Sequence, residues 1–477
     1  MARRSTTPKP APETPVRRIV QVAAATLRRR PLLDRAGWYE PLPEPVESST
    51  RQAAALRVAV GSSGANTAAL AIGEDLETGE PCFSDPFSDY PAIKSPTRCV
   101  IGDVGSGKSA NEKTCGVMRP LLLGRRVAVV DKKDQGGQGE YTPLAHALNI
   151  EPIRFALDGT GTKINILDPE IGTTSSQAAA TQNQLLRAVA AQALGRELRQ
   201  REGKALEVAR RQAVHEAKID KKVADIRSLV PAMLNPTRES AEQAVTSVDQ
   251  LREFGRDVAY ALNIMIDDHL TGLVDGPTDP RIQLNNSLTV FDISALPDSG
   301  PAVPIAMAII NTWLSNVLAA QAMPVPTHFV VEEGWHLVSG AFAEVARSNS
   351  KLARGKGLAP EYAIHHLSDI DKASAAMAMI REAGHVLLYR QSRADDAEAC
   401  VETFNLPRES KQTLMTLADG TFIFVQTGRP PRLIQHLRSQ IERELTNTDA
   451  VMTSTATMSL TTQEPVPVTP QLVGAVQ

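Results

Sequence analysis

Gly102-Asp103-Val104-Gly105-Ser106-Gly107-Lys108-Ser109 is the stretch on which the reading of this 477-residue sequence turns. It satisfies G-x-x-x-x-G-K-[ST] in full. Glycines in such a loop let backbone N–H groups converge on an anion with no side chain in the way, and the following helix points its positive end at the same place. Residues 102 to 109 are therefore the expected phosphate cradle for ATP. Lys108 reaches the β- and γ-phosphates, and the Ser109 hydroxyl is a ligand for Mg²⁺. The flanks fit the motif's structural context: Arg98–Ile101 reads as a short apolar strand and Ser109–Leu123 has helical spacing.

A phosphate loop needs an acid at the end of a neighbouring strand to hold the metal. Three apolar runs end in one: Val127–Asp131, Leu288–Asp292 and Phe329–Glu332. Asp131 follows directly on the loop's helix and comes too early. Asp292 is the rival. Glu332 alone is followed at once by a second acid, Glu333, so this pair supplies both needs of hydrolysis. Glu332 is read as the metal-orienting residue and Glu333 as the base for the attacking water.

Outward from these sites, strands alternate with helices at Tyr362–Ile364, Val386–Tyr389 and Phe422–Val425, which predicts a mostly parallel α/β sheet. Residues 98–172 and 272–440 form this core. Between them, residues 173–271 are rich in Ala, Gln, Arg, Glu and Leu and read as an all-helical insertion, broken near Leu229–Pro236. Leu185, Leu186, Val189, Leu194 and Leu198 recur there at helical spacing. Residues 1–50 form a basic, disordered arm, 51–97 a small β-rich lead-in, and 448–477 a flexible tail.

Composition narrows the classes. Apolar residues make up 42% and charged residues 22%, as in globular proteins, and the net charge of −3 gives no global signal for nucleic acid. Aromatic residues, at 4%, are too few for single-strand stacking platforms. Cys82, Cys99, Cys115 and Cys400 have no metal-ligand spacing and read as reduced thiols. The uncharged stretch Pro301–Val325 is long enough to span a membrane. Its internal amides and its place just before a strand predict a buried core helix instead, so no intrinsic transmembrane segment is expected.

In order and spacing, these elements resemble the conjugation and type IV secretion ATPases of the VirB/TraC type, in the FtsK–HerA superfamily of RecA-like hexameric P-loop motors. The resemblance runs from about Phe83 to Arg438. Its parts include Asp85-Pro86-Phe87, the glycine loop, Asp131-Lys132-Lys133, Gly139-Glu140-Tyr141 and Asn165-Ile166-Leu167-Asp168-Pro169. Further on come Asp275-Gly276-Pro277-Thr278, Glu332-Glu333-Gly334-Trp335 and His365-His366-Leu367-Ser368-Asp369. The resemblance implies ATP and Mg²⁺ as cofactors and a homo-hexamer peripheral to the bacterial inner membrane. Channel proteins would be its partners, and DNA or a relaxase–DNA complex its cargo. It also implies that His365 takes the γ-phosphate-sensing position and that Arg347 or Arg354 reaches a neighbouring subunit's nucleotide, with Arg390 and Arg393 second.

Two departures stand out. The family's acid motif usually begins with Asp where this chain has Glu332, and its sensor is usually Gln where this chain has His365. They leave open a subunit of slow turnover that binds nucleotide for assembly. A DNA-pumping translocase is the other alternative. The short stretch before the likeness predicts a motor domain that docks through a separate protein.

Overall fold

The computed structural model describes residues 69–169, 176–285, 287–334, 336 and 342–446. The basic arm, the tail and Trp335 lie outside the described residues.

Eleven strands form one sheet among the described residues. They are β1 (Ala71–Asp75), β2 (Pro81–Phe83), β3 (Arg98–Ile101), β4 (Arg126–Asp131), β5 (Ile153–Arg154), β6 (Leu288–Asp292), β7 (Thr327–Val331), β8 (Leu358–Ile364), β9 (His385–Leu388), β10 (Thr421–Gln426) and β11 (Arg432–Gln435). Their order across the sheet is β2-β1-β11-β10-β9-β3-β8-β7-β4-β6-β5. From β9 to β5 every pairing is parallel, and from β2 to β9 every pairing is antiparallel. The central strands β3, β8, β7 and β4 are buried along their whole length, which is why they read as mostly apolar runs.

Alternation along the strands assigns the two faces. Val100, Val127, Val129, Leu288 and Val330 pack on the side of the glycine-loop helix, with Cys115, Val117 and Leu144. Ala128, Val130, Phe291, Phe329 and Val331 pack on the other side, against the helix Ala302–Ala319. That helix is long and apolar enough to cross a membrane, but 83% of it is buried in the protein.

The same core continues into the helical insertion through Leu185, Leu186 and Val189. Its helices are Ser176–Leu194, Gln200–Ile219, Ile226–Leu234, Arg238–Gln243 and Val248–Met265. The break expected near Leu229–Pro236 falls on either side of Ile226–Leu234 instead. Asp225 and Ser228 cap that helix reciprocally, and Ile226, Leu229, Ala232 and Met233 bury one face. Together these outweigh the roughly 3 kcal/mol cost of Pro231 inside a helix. Two of the quoted motifs clamp the insertion's ends. The Asn165 N–H donates to Thr278 Oγ1 at 3.1 Å, and Asn165 Nδ2 donates to the Ala224 carbonyl at 2.7 Å.

Asp85-Pro86-Phe87 also acts structurally. Asp85 is fully buried and accepts from Arg125 Nη2 at 2.5 Å and the Ser88 N–H at 2.8 Å, with His328 Nε2 at 3.6 Å. Phe87 sits between Arg125 and His328, 4.8 Å and 5.3 Å from its ring centre. Burial would raise the Asp85 carboxyl, but His328 and Arg125 bring it from 3.8 down to about 2. An acid depressed on folding adds stability that is complete above the unfolded value and lost as pH falls through the folded one. The shift corresponds to about 2 kcal/mol lost between pH 4 and 2. Asp85→Asn is expected to destabilise the chain by about 3 kcal/mol at pH 7, because it strips a buried cation of its partner. Denaturant melts check this: the gap between variant and wild type should narrow as pH drops toward 2.

Candidate nucleotide and metal site

The glycine loop leaves the C-terminal end of β3 between β8 and β9. The Gly102 N–H donates to the Ile364 carbonyl at 3.1 Å and the Asp103 N–H to Arg390 O at 3.0 Å. Gly107, at φ 101°, can only be glycine: a Cβ would stand 2.9 Å from the Gly420 backbone, whose N–H donates to Ser106 O at 2.9 Å. The helix opens at Lys108, so its first-turn amides have no partner within the helix and face the loop. Val104 stands exposed at the tip. A cradle of converging amides, a lysine and a serine hydroxyl fits a polyphosphate.

Lys108 closes the loop on itself. Its Nζ donates to the carbonyls of Gly102 and, at 2.7 Å, Asp103, and lies 3.3 Å from His365 Nδ1. Burial lowers the Lys108 ammonium to about 8, with Lys133 adding repulsion and Glu112 opposing the shift. An ammonium only donates, so Nδ1 of His365 accepts and its Nε2 carries the proton. That Nε2 lies 3.1 Å from Glu333 Oε2. Lys108, His365 and Glu333 thus form one chain of contacts across the ends of β3, β8 and β7. Glu333 itself sits at φ 52°, a left-handed conformation unusual for a side-chain-bearing residue and common at functional positions.

A second chain runs beside the first. Lys133 Nζ donates to Ser109 Oγ at 2.7 Å and pairs with Glu332 Oε2 at 3.1 Å, with Glu140 Oε2 at 3.7 Å. Tyr141 donates its hydroxyl to Glu332 Oε1 at 2.8 Å. Burial works to raise the Glu332 carboxyl, yet Lys133, Glu112 and Tyr141 hold it below the usual range. The same burial and the Glu332 charge push Glu112 well above the usual range. No hydrogen-bond partner reaches either Glu112 oxygen, so this buried carboxyl stands against Glu332 without a donor of its own. Ser109 and Glu332 offer oxygen ligands of the kind Mg²⁺ takes.

Asp131 and Asp292 do other work. Asp131 Oδ2 accepts from the Tyr141 N–H at 2.7 Å, and Asp292 Oδ2 from the Gly139 N–H at 3.3 Å. Both tie down the segment that carries Lys133, Glu140 and Tyr141. Arg347 and Arg354 are not brought to the loop of their own chain. With Lys94, Lys351 and Glu382 they line a cleft of about 270 Å³ beside Thr97, at the N-terminal ends of β3 and β8. Arg390 pairs with Asp419 at 2.7 Å and Arg393 with Asp395 at 2.7 Å.

Sequence reasoning gave no site role to Glu112, Lys133, Glu140 or Tyr141. The last three stood in quoted motifs. Glu112 carried one signal, a charge three residues after Ser109 on a helix that must bury its inner face. The π-helical segment Glu112–Met118 brings it and Lys113 inside, where Lys113 meets Glu140 at 2.9 Å.

Fold and site define a RecA-like P-loop NTPase with an inserted all-helical subdomain, the architecture expected from the sequence. No family model matches the chain, and no curated protein matches it. Among solved structures it is similar to VirB4 of Thermoanaerobacter pseudethanolicus, with 21% identity and a TM-score of 0.64 over 80% of this chain and 99% of that one. It also matches the plasmid coupling protein TrwB in complex with ADP and Mg²⁺, at 15% identity over 78% of this chain and 90% of that one, with a TM-score of 0.49. The likeness to VirB4 is one of fold.

Proposed function

We propose that this chain is an ATP-hydrolysing motor that energises a conjugation or type IV secretion apparatus. The observation that carries the chemistry is the convergence of two side-chain chains on one glycine loop. Lys108, His365 and Glu333 stand on one side, and Ser109 and Glu332 on the other. The apparatus is inferred from the order of the quoted motifs and from the fold shared with VirB4.

In this reading residues 102–109 wrap the phosphates and Lys108 turns from the loop carbonyls to the β- and γ-phosphates. Ser109 and Glu332 would hold Mg²⁺, which when bound neutralises charge across those phosphates. Glu333 takes the proton of the attacking water, and His365 fixes the carboxylate through Nε2–H. The chain works as a homo-hexamer at the cytoplasmic face of a bacterial inner membrane. Channel proteins are its partners and DNA or a relaxase–DNA complex its cargo. Arg347 and Arg354 act on a neighbour's nucleotide, as the resemblance implies.

Mass photometry and turnover of the full chain test this. With ATP and Mg²⁺ a hexamer is expected, and Arg347→Ala or Arg354→Ala should lower turnover by roughly 10³-fold while nucleotide still binds. Full turnover by a monomer, or by both arginine variants, would overturn the ring reading.

A further inference from the structure

Lys133 occupies the place where this class of site takes its metal. The Ser109 hydroxyl and the acid on β7 are the two protein groups between which a P-loop protein holds Mg²⁺. Here an ammonium already joins them, 2.7 Å from Ser109 Oγ and 3.1 Å from Glu332 Oε2. Mg²⁺ would sit about 2 Å from such oxygens. It would share the volume of Lys133 Nζ and repel it, so both cannot hold the same ligands.

The backbone around Lys133 is fixed while its side chain has room to leave. The Glu140 N–H donates to the Lys133 carbonyl at 3.1 Å, and Asp134 pairs with Gly139 to close the short loop between them. Asp131 and Asp292 anchor that loop from below. The Lys133 side chain is nevertheless 31% exposed, unlike Lys113 at 2%. A destination is at hand, since Glu140 Oε2 lies 3.7 Å from Nζ and the phosphates would enter on the open side. Lys132 points elsewhere and pairs with Asp298 at 2.6 Å.

We infer that Lys133 is a tethered cation that fills the metal position in the nucleotide-free protein, so that a divalent ion is accepted only together with a polyphosphate. Without nucleotide, Lys133 neutralises Glu332 and keeps Ser109 and Glu332 in register. With nucleotide, the phosphate charge draws Lys133 off Ser109 and Glu332 and frees both for the metal. The inference rests on the ATPase reading for its physiological sense, but metal exclusion is measurable without hydrolysis.

Mn²⁺ serves as an oxygen-seeking probe, its binding followed by electron paramagnetic resonance with no nucleotide present. Wild type and Lys132→Met are expected to leave Mn²⁺ free. Lys133→Gln and Lys133→Met should bind it at least about 10-fold more tightly, the scale on which groups around a metal site change affinity. Adding Ser109→Ala to Lys133→Gln should remove that binding. Lys133→Arg keeps the cation and should still exclude Mn²⁺, and circular dichroism confirms which variants are folded. Nucleotide-free wild type that binds Mn²⁺ at the glycine loop would overturn the inference, as would folded Lys133→Gln or Lys133→Met within twofold of wild type. Failure of wild type to bind ATP would instead defeat the functional reading and leave the Mn²⁺ comparison intact.

Discussion

Lys108→Ala is expected to lose ATP binding by two to four orders of magnitude, and turnover with it. The size follows from the contacts. Lys108 is the one ammonium inside the loop, and two charge-assisted hydrogen bonds to phosphate are each worth about 1.5–3 kcal/mol. That ammonium donates to the carbonyls of Gly102 and Asp103 and lies beside His365 Nδ1. Removing it leaves the partly exposed Asp103 carbonyl to water and the buried Gly102 carbonyl short of one donor, so the melting temperature should fall by a few degrees at most while affinity falls far more. Isothermal titration with ATP and Mg²⁺ measures it, and affinity within a few-fold of wild type would refute the placement of phosphate at residues 102–109.

Glu333→Gln is expected to separate binding from hydrolysis. Glutamine keeps the shape of Glu333, still accepts from His365 Nε2–H and still follows Glu332 in the chain. It cannot take a proton. Turnover should fall by about 10² to 10⁴, the usual worth of a positioned general base, with ATP affinity unchanged or raised. Glu332→Gln should behave differently. It disturbs the contacts with Lys133 and Tyr141, so it should weaken metal-dependent binding as well as turnover. Phosphate release and ATP retention, measured side by side, distinguish the two acids. Equal behaviour of both variants would mean that their roles are not divided as the geometry suggests.

The parts of this molecule that could be read in the sequence are those whose cause is local. The glycine loop is contiguous, and β3, β4, β7 and β8 are mostly apolar because the sheet buries both their faces. Strands toward the ends of the sheet left weaker marks. β5 has two residues, and β11 alternates without a fully buried face. β5 depends on pairing with β6 far along the chain, and β11 joins the neighbouring β10 to the distant β1. The choice among acids was limited in the same way. Val127–Asp131, Leu288–Asp292 and Phe329–Glu332 look alike as strings. Only the lateral order of the sheet puts β7 two positions from β3, across β8, and leaves β4 and β6 further out.

The electrostatics under the loop was the least legible part. A glutamate at 112 and a lysine at 133 look like ordinary charged residues. The π-helical segment after Asn111 and the anchoring of the 131–141 loop by Asp131 and Asp292 bring them to Glu332. Neither is encoded in a short motif. His365 lay between the two cases. Its place after β8 followed from the resemblance, but its simultaneous contact with Lys108 and Glu333 is a product of the fold.

Release of phosphate from ATP by the purified wild-type chain in the presence of Mg²⁺, with Lys108→Ala prepared identically as reference, tests the central claim most directly. The account predicts sustained multiple turnover by the wild type, none on omission of Mg²⁺, and none by the variant. Tight ATP binding with no phosphate released, or equal release by Lys108→Ala, would contradict it.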